Sequence, residues 1–361
     1  MIAILIVLLA CFLVVNIFLR QPKFGSLATG KRADKIHASA NWRDGQFQNQ
    51  HLTPNLAEDV SYYTVMKELF FHKSKRRKPG STIPSKKTDL LSLSTDKNIL
   101  VWFGHSSYFM QVDGKKILVD PVFSGAASPI KATTRSFPGS DIYTTDDIPD
   151  IDFLFISHDH WDHLDYETIL ALKPKIKTII TGLGTATHLE RWGYDTNMIY
   201  EKDWKETVEL GNGFIVHTAP ARHFSGRGLK RNQAIWTSFV LLTTHHRIYL
   251  GGDSGYDTHF KEIGNMYGPF DLAILECGQY DKNWKYIHMM PEQVLQAAAD
   301  LQAKKLLPVH WGKFALANHD WDTPIITVTL LNKNIPLLTP MIGEELNLDA
   351  EQSFTKWWIG V

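Results

Sequence analysis

Cysteine is nearly absent, with Cys11 and Cys277 the two in a chain of 361 residues. They lie far apart and the first sits in an apolar run, which excludes a disulfide framework and leaves histidine and carboxylate as the material for any metal site. An excess of either charge is also missing, since 38 Lys and Arg face 38 Asp and Glu. Without a net positive field or a basic stripe interleaved with aromatics, nothing marks the chain as a partner of nucleic acid. Solenoid-period repeats and low-complexity tracts are lacking, which excludes a repeat array. What remains is ordinary globular composition on a chain too long for a minimal core, so one large folded domain with additions is predicted.

Long apolar runs are scarce too, with one exception. Residues 1–19 hold a single polar side chain, Asn16, and as a helix would extend about 29 Å, close to the hydrocarbon thickness of a bilayer. A cleaved secretory signal is the competing reading, and Leu8 to Cys11 imitates a lipoprotein cleavage box. The absence of Lys or Arg before the run, and its continuation past Cys11, favour an uncleaved transmembrane anchor over residues 1–20. Arg20, Lys23, Lys31, Arg32 and Lys35 all follow the span. By the positive-inside rule, the remainder of this membrane-anchored protein is expected on the cytoplasmic side.

Residues 21–95 read as a basic lead-in with a short helix, since apolar residues fall at near-helical spacing over 60–71. The stretch KSKRRKPG follows, with five basic residues in six positions. It reads either as a solvated linker or as a segment drawn to anionic headgroups at about 1 kcal/mol per basic residue. From residue 97 the pattern changes to short strands: NILVWF, YFMQV, then Asp113-Gly114 as a hairpin signal, then KKILVD. Further apolar runs follow at 153–156, 178–180, 214–218, 238–243, 247–250, 273–275 and 305–309, with helices predicted over 165–172 and 291–301. Two groups of strands with helices between them predict a layered α/β domain over residues 96–361.

The chemistry concentrates where one strand ends. FISHDHWDH sets His158, Asp159, His160, Trp161, Asp162 and His163 in six consecutive positions. Left uncompensated, these groups would repel or need desolvation. On a tight loop, pairs of ligand atoms can face two points a few Å apart, which is a dinuclear arrangement. Neutral imidazole and carboxylate suit zinc. Two coordination spheres need about three more ligands, and His223, Asp253 and His310 are the candidates, each following an apolar strand and flanked by glycine or a small turn.

These residues carry a resemblance. H-D-H-W-D-H is similar to the H-x-H-x-D-H signature of the metallo-β-lactamase superfamily, and the later His, Asp and His fall in that family's order over about residues 97–320. The resemblance implies an αββα sandwich with two zinc ions, one on His158, His160 and His223, the other on Asp162, His163 and His310, with Asp253 bridging. Asp159 and Trp161 are not ligands in that pattern. Within the superfamily the chain looks most like the phospholipase D group that hydrolyses N-acylphosphatidylethanolamine, on VWFGHSSYFMQVDGKKILVDPVFS, APARHFSGRG, GGDSGY, ECGQY, YIHMMPEQ and PVHWGKFAL.

That likeness implies a phospholipid substrate and attack of a metal-bridging hydroxide on phosphorus, steered by Asp253, with release of N-acylethanolamine. His288 is the candidate general acid; its alternative role is to cap the helix near Pro291. His105 and Asp120 are candidates to orient ligand histidines through their second ring nitrogen. Arg222 and Arg227, with Lys230, are candidates to bind phosphate, or else lie on a solvated loop. Trp102 with Gly104-His105-Ser106 also resembles the lactonase branch, so a metal-dependent lactonase or other ester hydrolase stands as the alternative, and a metal-stabilised adaptor as a third reading.

Overall fold

The computed structural model describes residues 1–361, the side chain of Leu69 excepted. Helix α1 (Ile2–Leu19) has no buried residue. By length and composition it is a candidate membrane span, a criterion that signal sequences also meet.

Residues 20–98 contain more order than their composition suggests: α2 (Gly30–His37), a hairpin of β1 (Trp42–Arg43) and β2 (Gln46–Phe47), and α3 (Tyr62–Phe71). Ser61 caps α3, its Oγ accepting from Thr64 N at 3.1 Å. The order comes from packing against the rest of the chain. Ile36 and Phe47 join Leu183, Trp204, Ile235 and Trp236 in a small core, and Ile83 and Leu90 enter the two main cores. Charges help: the Arg32 guanidinium donates to Glu190 and Glu201, each at 2.7 Å. The basic run splits in two. Arg76 pairs with Asp320 and Asp322, and Arg77 donates to the carbonyls of Ala315 and Ala317. Lys73, Lys75 and Lys78 stay exposed.

From Ile99 the chain runs β3 (Ile99–Trp102), β4 (Tyr108–Val112), β5 (Lys115–Val119), β6 (Ile151–Ile156), α4 (Tyr166–Leu172), β7 (Ile176–Gly182), α5 (Ala186–Arg191) and β8 (Ile199–Lys202). It continues through β9 (Thr207–Gly211), β10 (Phe214–Ala219), β11 (Ser238–Leu242), β12 (Arg247–Leu250), α6 (His259–Tyr267), β13 (Leu272–Glu276), α7 (Pro291–Asp300), β14 (Leu306–Val309), α8 (Thr323–Leu331) and β15 (Glu345–Asn347). Asp113 and Gly114 join β4 to β5 with positive φ at both residues (47° and 73°), as a type I′ turn requires.

Two sheets result, ordered β15-β3-β4-β5-β6-β7-β8 and β14-β13-β12-β11-β10-β9. In the first, β5 to β8 run parallel; in the second, β12 to β14 do. The period-2 alternation of strand side chains sorts the apolar residues into layers. Phe153 and Phe155 of β6, with Met110 and Val119, point into the core shared with Val216, Phe239 and Leu241 of the second sheet. Leu154 and Ile156 point the other way, onto Ile169 and Leu172 of α4 and Leu189 of α5. Helices α6, α7 and α8 contribute Phe260, Val294 and Ile325 to the larger core. The layers are therefore αββα, and the C-terminal ends of β5, β6, β10, β12, β13 and β14 carry the polar residues of interest.

Candidate metal centre

The fold draws the predicted donors together from four separate loops. His158, His160, Asp162 and His163 follow β6, His223 follows β10, Asp253 follows β12 and His310 follows β14. Ligand atoms of His158, His160 and His223 lie within 4.8 Å of one another, as do those of His105, Asp162, His163 and His310. Asp253 touches both sets: its Oδ2 lies 3.2 Å from His163 Nε2, 3.7 Å from His223 Nε2 and 3.9 Å from His158 Nε2, and its Oδ1 lies 3.1 Å from His310 Nδ1. Gly252 makes this approach feasible, with φ at 61° and space so tight that a Cβ would meet that of Ser157 at 2.8 Å.

Four imidazoles are fixed through Nδ1. That of His163 meets Asp120 Oδ2 at 2.8 Å, that of His310 meets Ser106 Oγ at 2.8 Å, that of His158 meets Ser157 Oγ at 3.0 Å, and that of His223 donates to the Ile287 carbonyl at 2.9 Å. Nε2 of each is thereby left for the cluster, the arrangement by which outer hydrogen bonds orient metal-binding rings. Asp120 is itself held, accepting from Ser157 N at 2.8 Å and Ser157 Oγ at 2.6 Å. His105 Nε2 contacts Asp162 Oδ2 at 2.8 Å. His105, Asp120 and His310 all have left-handed backbone, φ 53°, 42° and 69°. Non-glycine residues keep that conformation where surrounding contacts overdetermine it, and here His105 N donates to Trp311 O and His310 N to His105 O.

The donor set fits divalent cations. Burial pushes the imidazoles of His158, His223 and His310 well below the ordinary histidine range, so they are the neutral rings that ligation requires. Burial opposes charge on Asp253 and Asp162, but the surrounding imidazoles, His163 foremost, together outweigh it and hold both carboxyls low. His163 itself is raised, since Asp253, Asp162 and Asp120 outweigh its burial. Among the described residues, His163 Nε2, His310 Nε2 and Asp253 Oδ1 are buried without a hydrogen-bond partner, which is costly unless a cation takes their lone pairs. Neutral imidazoles, low carboxyls and buried lone pairs without a partner are together what a divalent metal ion would take up.

Comparison with known proteins agrees. The beta-lactamase superfamily domain matches residues 115–311. The chain belongs to the metallo-β-lactamase superfamily. A member from Mycobacterium tuberculosis (strain ATCC 25618 / H37Rv), named as an uncharacterized protein, is 33% identical over 343 residues, covering 92% of this chain and 91% of that one. The N-acyl-phosphatidylethanolamine-hydrolyzing phospholipase D 1 of Caenorhabditis elegans is 32% identical over 238 residues, 61% of this chain and 65% of its own. A metallo hydrolase from the archaeon Ignicoccus hospitalis shares the fold, with a TM-score of 0.53 at 21% identity over 69% of this chain and 97% of that one.

In this superfamily member a cavity of about 290 Å³ opens over the donors, lined by Asn55, Leu56, Tyr62, Val65, Phe224, Trp284, Leu316 and His288 among others. His288 is buried, its Nδ1 2.6 Å from Glu276 Oε2, and its ring stacks 5.3 Å from that of His310. Glu276 is raised by burial, and His288 is raised because Glu276 and Asp253 outweigh its own desolvation. Sequence reasoning missed Glu276, although it carries the same signal as Asp253, a carboxylate closing an apolar strand. Arg222 does not line the cavity: Nε donates to Thr53 Oγ1, Nη1 to Tyr256 O and Nη2 to Leu52 O, which holds the lead-in in place. Arg227 lies between Trp161 and Trp192, 4.0 and 5.3 Å from their centroids, and donates to the carbonyls of Asp159 and Leu164. The cation that does line the cavity is Arg231, 5.2 Å from the Phe224 ring.

Proposed function

We propose that the protein is a dinuclear zinc phosphodiesterase that hydrolyses N-acylphosphatidylethanolamine to N-acylethanolamine and phosphatidic acid. In this reading residues 1–20 anchor it in the membrane, residues 21–95 form a lead-in, and residues 96–361 are the hydrolase domain on the cytoplasmic side. One observation carries the catalytic part: seven His and Asp donors converge in two sets joined by Asp253, with three buried atoms unpartnered. His158, His160 and His223 would hold one zinc, Asp162, His163 and His310 the other, and Asp253 both.

Bound there, two zinc ions would supply Lewis acidity for activating water and for offsetting charge on a phosphoryl group. The chain's own residues do the rest. Asp253 orients the attacking water between the two donor sets. His288, with Nδ1 engaged by Glu276, has Nε2 to protonate the departing ethanolamide oxygen. Arg231 offers a cation to the phosphodiester at the mouth. Leu56, Tyr62, Val65, Phe224 and Trp284 give an acyl chain an apolar wall and exclude water. The outward face of α3, where Tyr63, Phe70 and Phe71 are exposed, favours a lipid over a soluble lactone as substrate.

The test is turnover of zinc-loaded protein on N-acylphosphatidylethanolamine in detergent, with N-acylethanolamine followed by mass spectrometry. Chelator-sensitive release is expected. No release from protein carrying two zincs, together with turnover of a lactone panel, would overturn the phospholipase reading in favour of a lactonase.

A further inference from the structure

A second cavity, of about 620 Å³, opens on the flank of the domain where α1 ends, and it shares no lining residue with the catalytic one. Its wall is largely apolar, from Leu19, Phe24, Leu27, Ala28, Leu229 and Ala234. Leu27 and Leu229 are 45% and 85% exposed, so large aliphatic side chains stand in water at its mouth. Arg191 and Lys230 line the same opening. The lining carboxylate, Asp159, is buried and already engaged, accepting from Gly226 N at 2.6 Å and lying 3.2 Å from His188 Nε2. The cavity therefore combines an apolar wall with cations, and its one acid is buried, with its oxygens turned to Gly226 and His188. Its volume is that of a small-molecule site.

We propose that this cavity seats an anionic phospholipid of the surrounding bilayer, its phosphate beside Lys230 and Arg191 and an acyl chain along Leu19, Phe24, Leu27 and Leu229. The covalent path of the chain supports this occupant. Leu19 is the last residue of α1, and with α1 across a bilayer it marks the membrane–water boundary, which sets the cavity at headgroup depth. The positive charge at the mouth favours an anionic headgroup over a zwitterionic one, whose own cation opposes the attraction of its phosphate. Asp159, in the lining, sits between His158 and His160, so the bound lipid rests against the loop that carries four of the metal donors. The proposal rests on α1 spanning a membrane, and not on which substrate is hydrolysed.

The experiment uses the full chain in vesicles of phosphatidylcholine containing a trace of diazirine-acyl phosphatidylglycerol or of the matching phosphatidylcholine probe. Labelled peptides are mapped by mass spectrometry, and flotation is measured on the same samples. The phosphatidylglycerol probe should label residues 24–28 and 228–234 about five-fold more than the phosphatidylcholine probe, the preference one basic side chain gives beside an anionic lipid. Leu229→Glu, on an exposed loop, should remove that label while labelling of α1 and zinc content stay unchanged. Ala28→Trp, which fills the cavity from its inner wall, should do the same. Equal labelling by the two probes, labelling unaffected by both variants, or labels confined to α1 would overturn the site alone. A full chain that does not float with vesicles would overturn the anchor and the site together.

Discussion

Asp120 coordinates nothing in the proposed site, yet it sets the direction of a ring that does. Replacing it by Asn keeps its size but removes a full acceptor from His163 Nδ1 and from Ser157, both within 2.8 Å. Asp120→Asn is expected to weaken zinc binding or turnover by about 10–100-fold, read by competition with a chromogenic chelator. His288 is tested by the leaving group. His288→Ala should slow release of an alkoxide by about 10²–10⁴-fold yet leave hydrolysis of an aryl phosphodiester, whose leaving group needs no proton, nearly intact. Equal losses on both substrates would exclude the acid role. The six-residue run around His160 was legible from sequence because so few structures tolerate that density of imidazole and carboxylate. Glu276 and Arg231 were not, because a lone carboxylate or a loop cation has many ordinary uses and only the fold brings Glu276 against His288 and Arg231 to the cavity.

Elements differ in how much their sequences disclose. Most strands of the sandwich announced themselves through short apolar runs, and Pro291 marked the start of α7, whereas β8, β9 and β15, half-exposed at sheet edges, passed unnoticed. Helix α8, TPIITVTLL, has the composition of a strand; Ile325 and Val328 bury against the core and tertiary packing overrides the local preference. The segment at residues 20–28 was also opaque, because its order comes from partners some 160 residues away. Ser26 N lies 3.1 Å from His188 Nδ1, Ser26 Oγ donates to Thr187 O, and Trp192 Nε1 donates to Pro22 O. Two deletions separate α1 from this strap. Removing residues 2–19 should release the protein from membranes with turnover in detergent within about two-fold, since α1 has no buried residue. Removing residues 2–28 loses several hydrogen bonds at about 1 kcal/mol each, and the melting temperature should fall by several degrees, at about 2–4 °C per kcal/mol. Equal melting temperatures for the two truncated forms would show that the strap contributes nothing.

At the scale of the whole molecule, the donors tie the two sheets together. The loop after β6 belongs to the first sheet, and those after β10, β12 and β14 to the second. Metal bound there would stabilise the seam between the sheets as well as serve the chemistry. A ligand at a thousand times its dissociation constant stabilises the native state by about 4.1 kcal/mol. Chelator treatment should accordingly lower the melting temperature by roughly 10 °C, with zinc restoring it and magnesium, which prefers oxygen donors, not doing so. An unchanged melting temperature in metal-free protein would mean that the seam is held by apolar packing alone.

Arg227 has one further consequence. Its side chain is 4% exposed and clasped between two tryptophans, while Lys230, three residues on, stands exposed. Trypsin meets three scissile bonds within five residues, those after Lys230 and Arg231 in the open and that after Arg227 locked. Brief digestion should cut after Lys230 or Arg231 and spare the bond after Arg227, and the rate at which the cut after Arg227 appears would time how often the loop beneath the metal donors comes open.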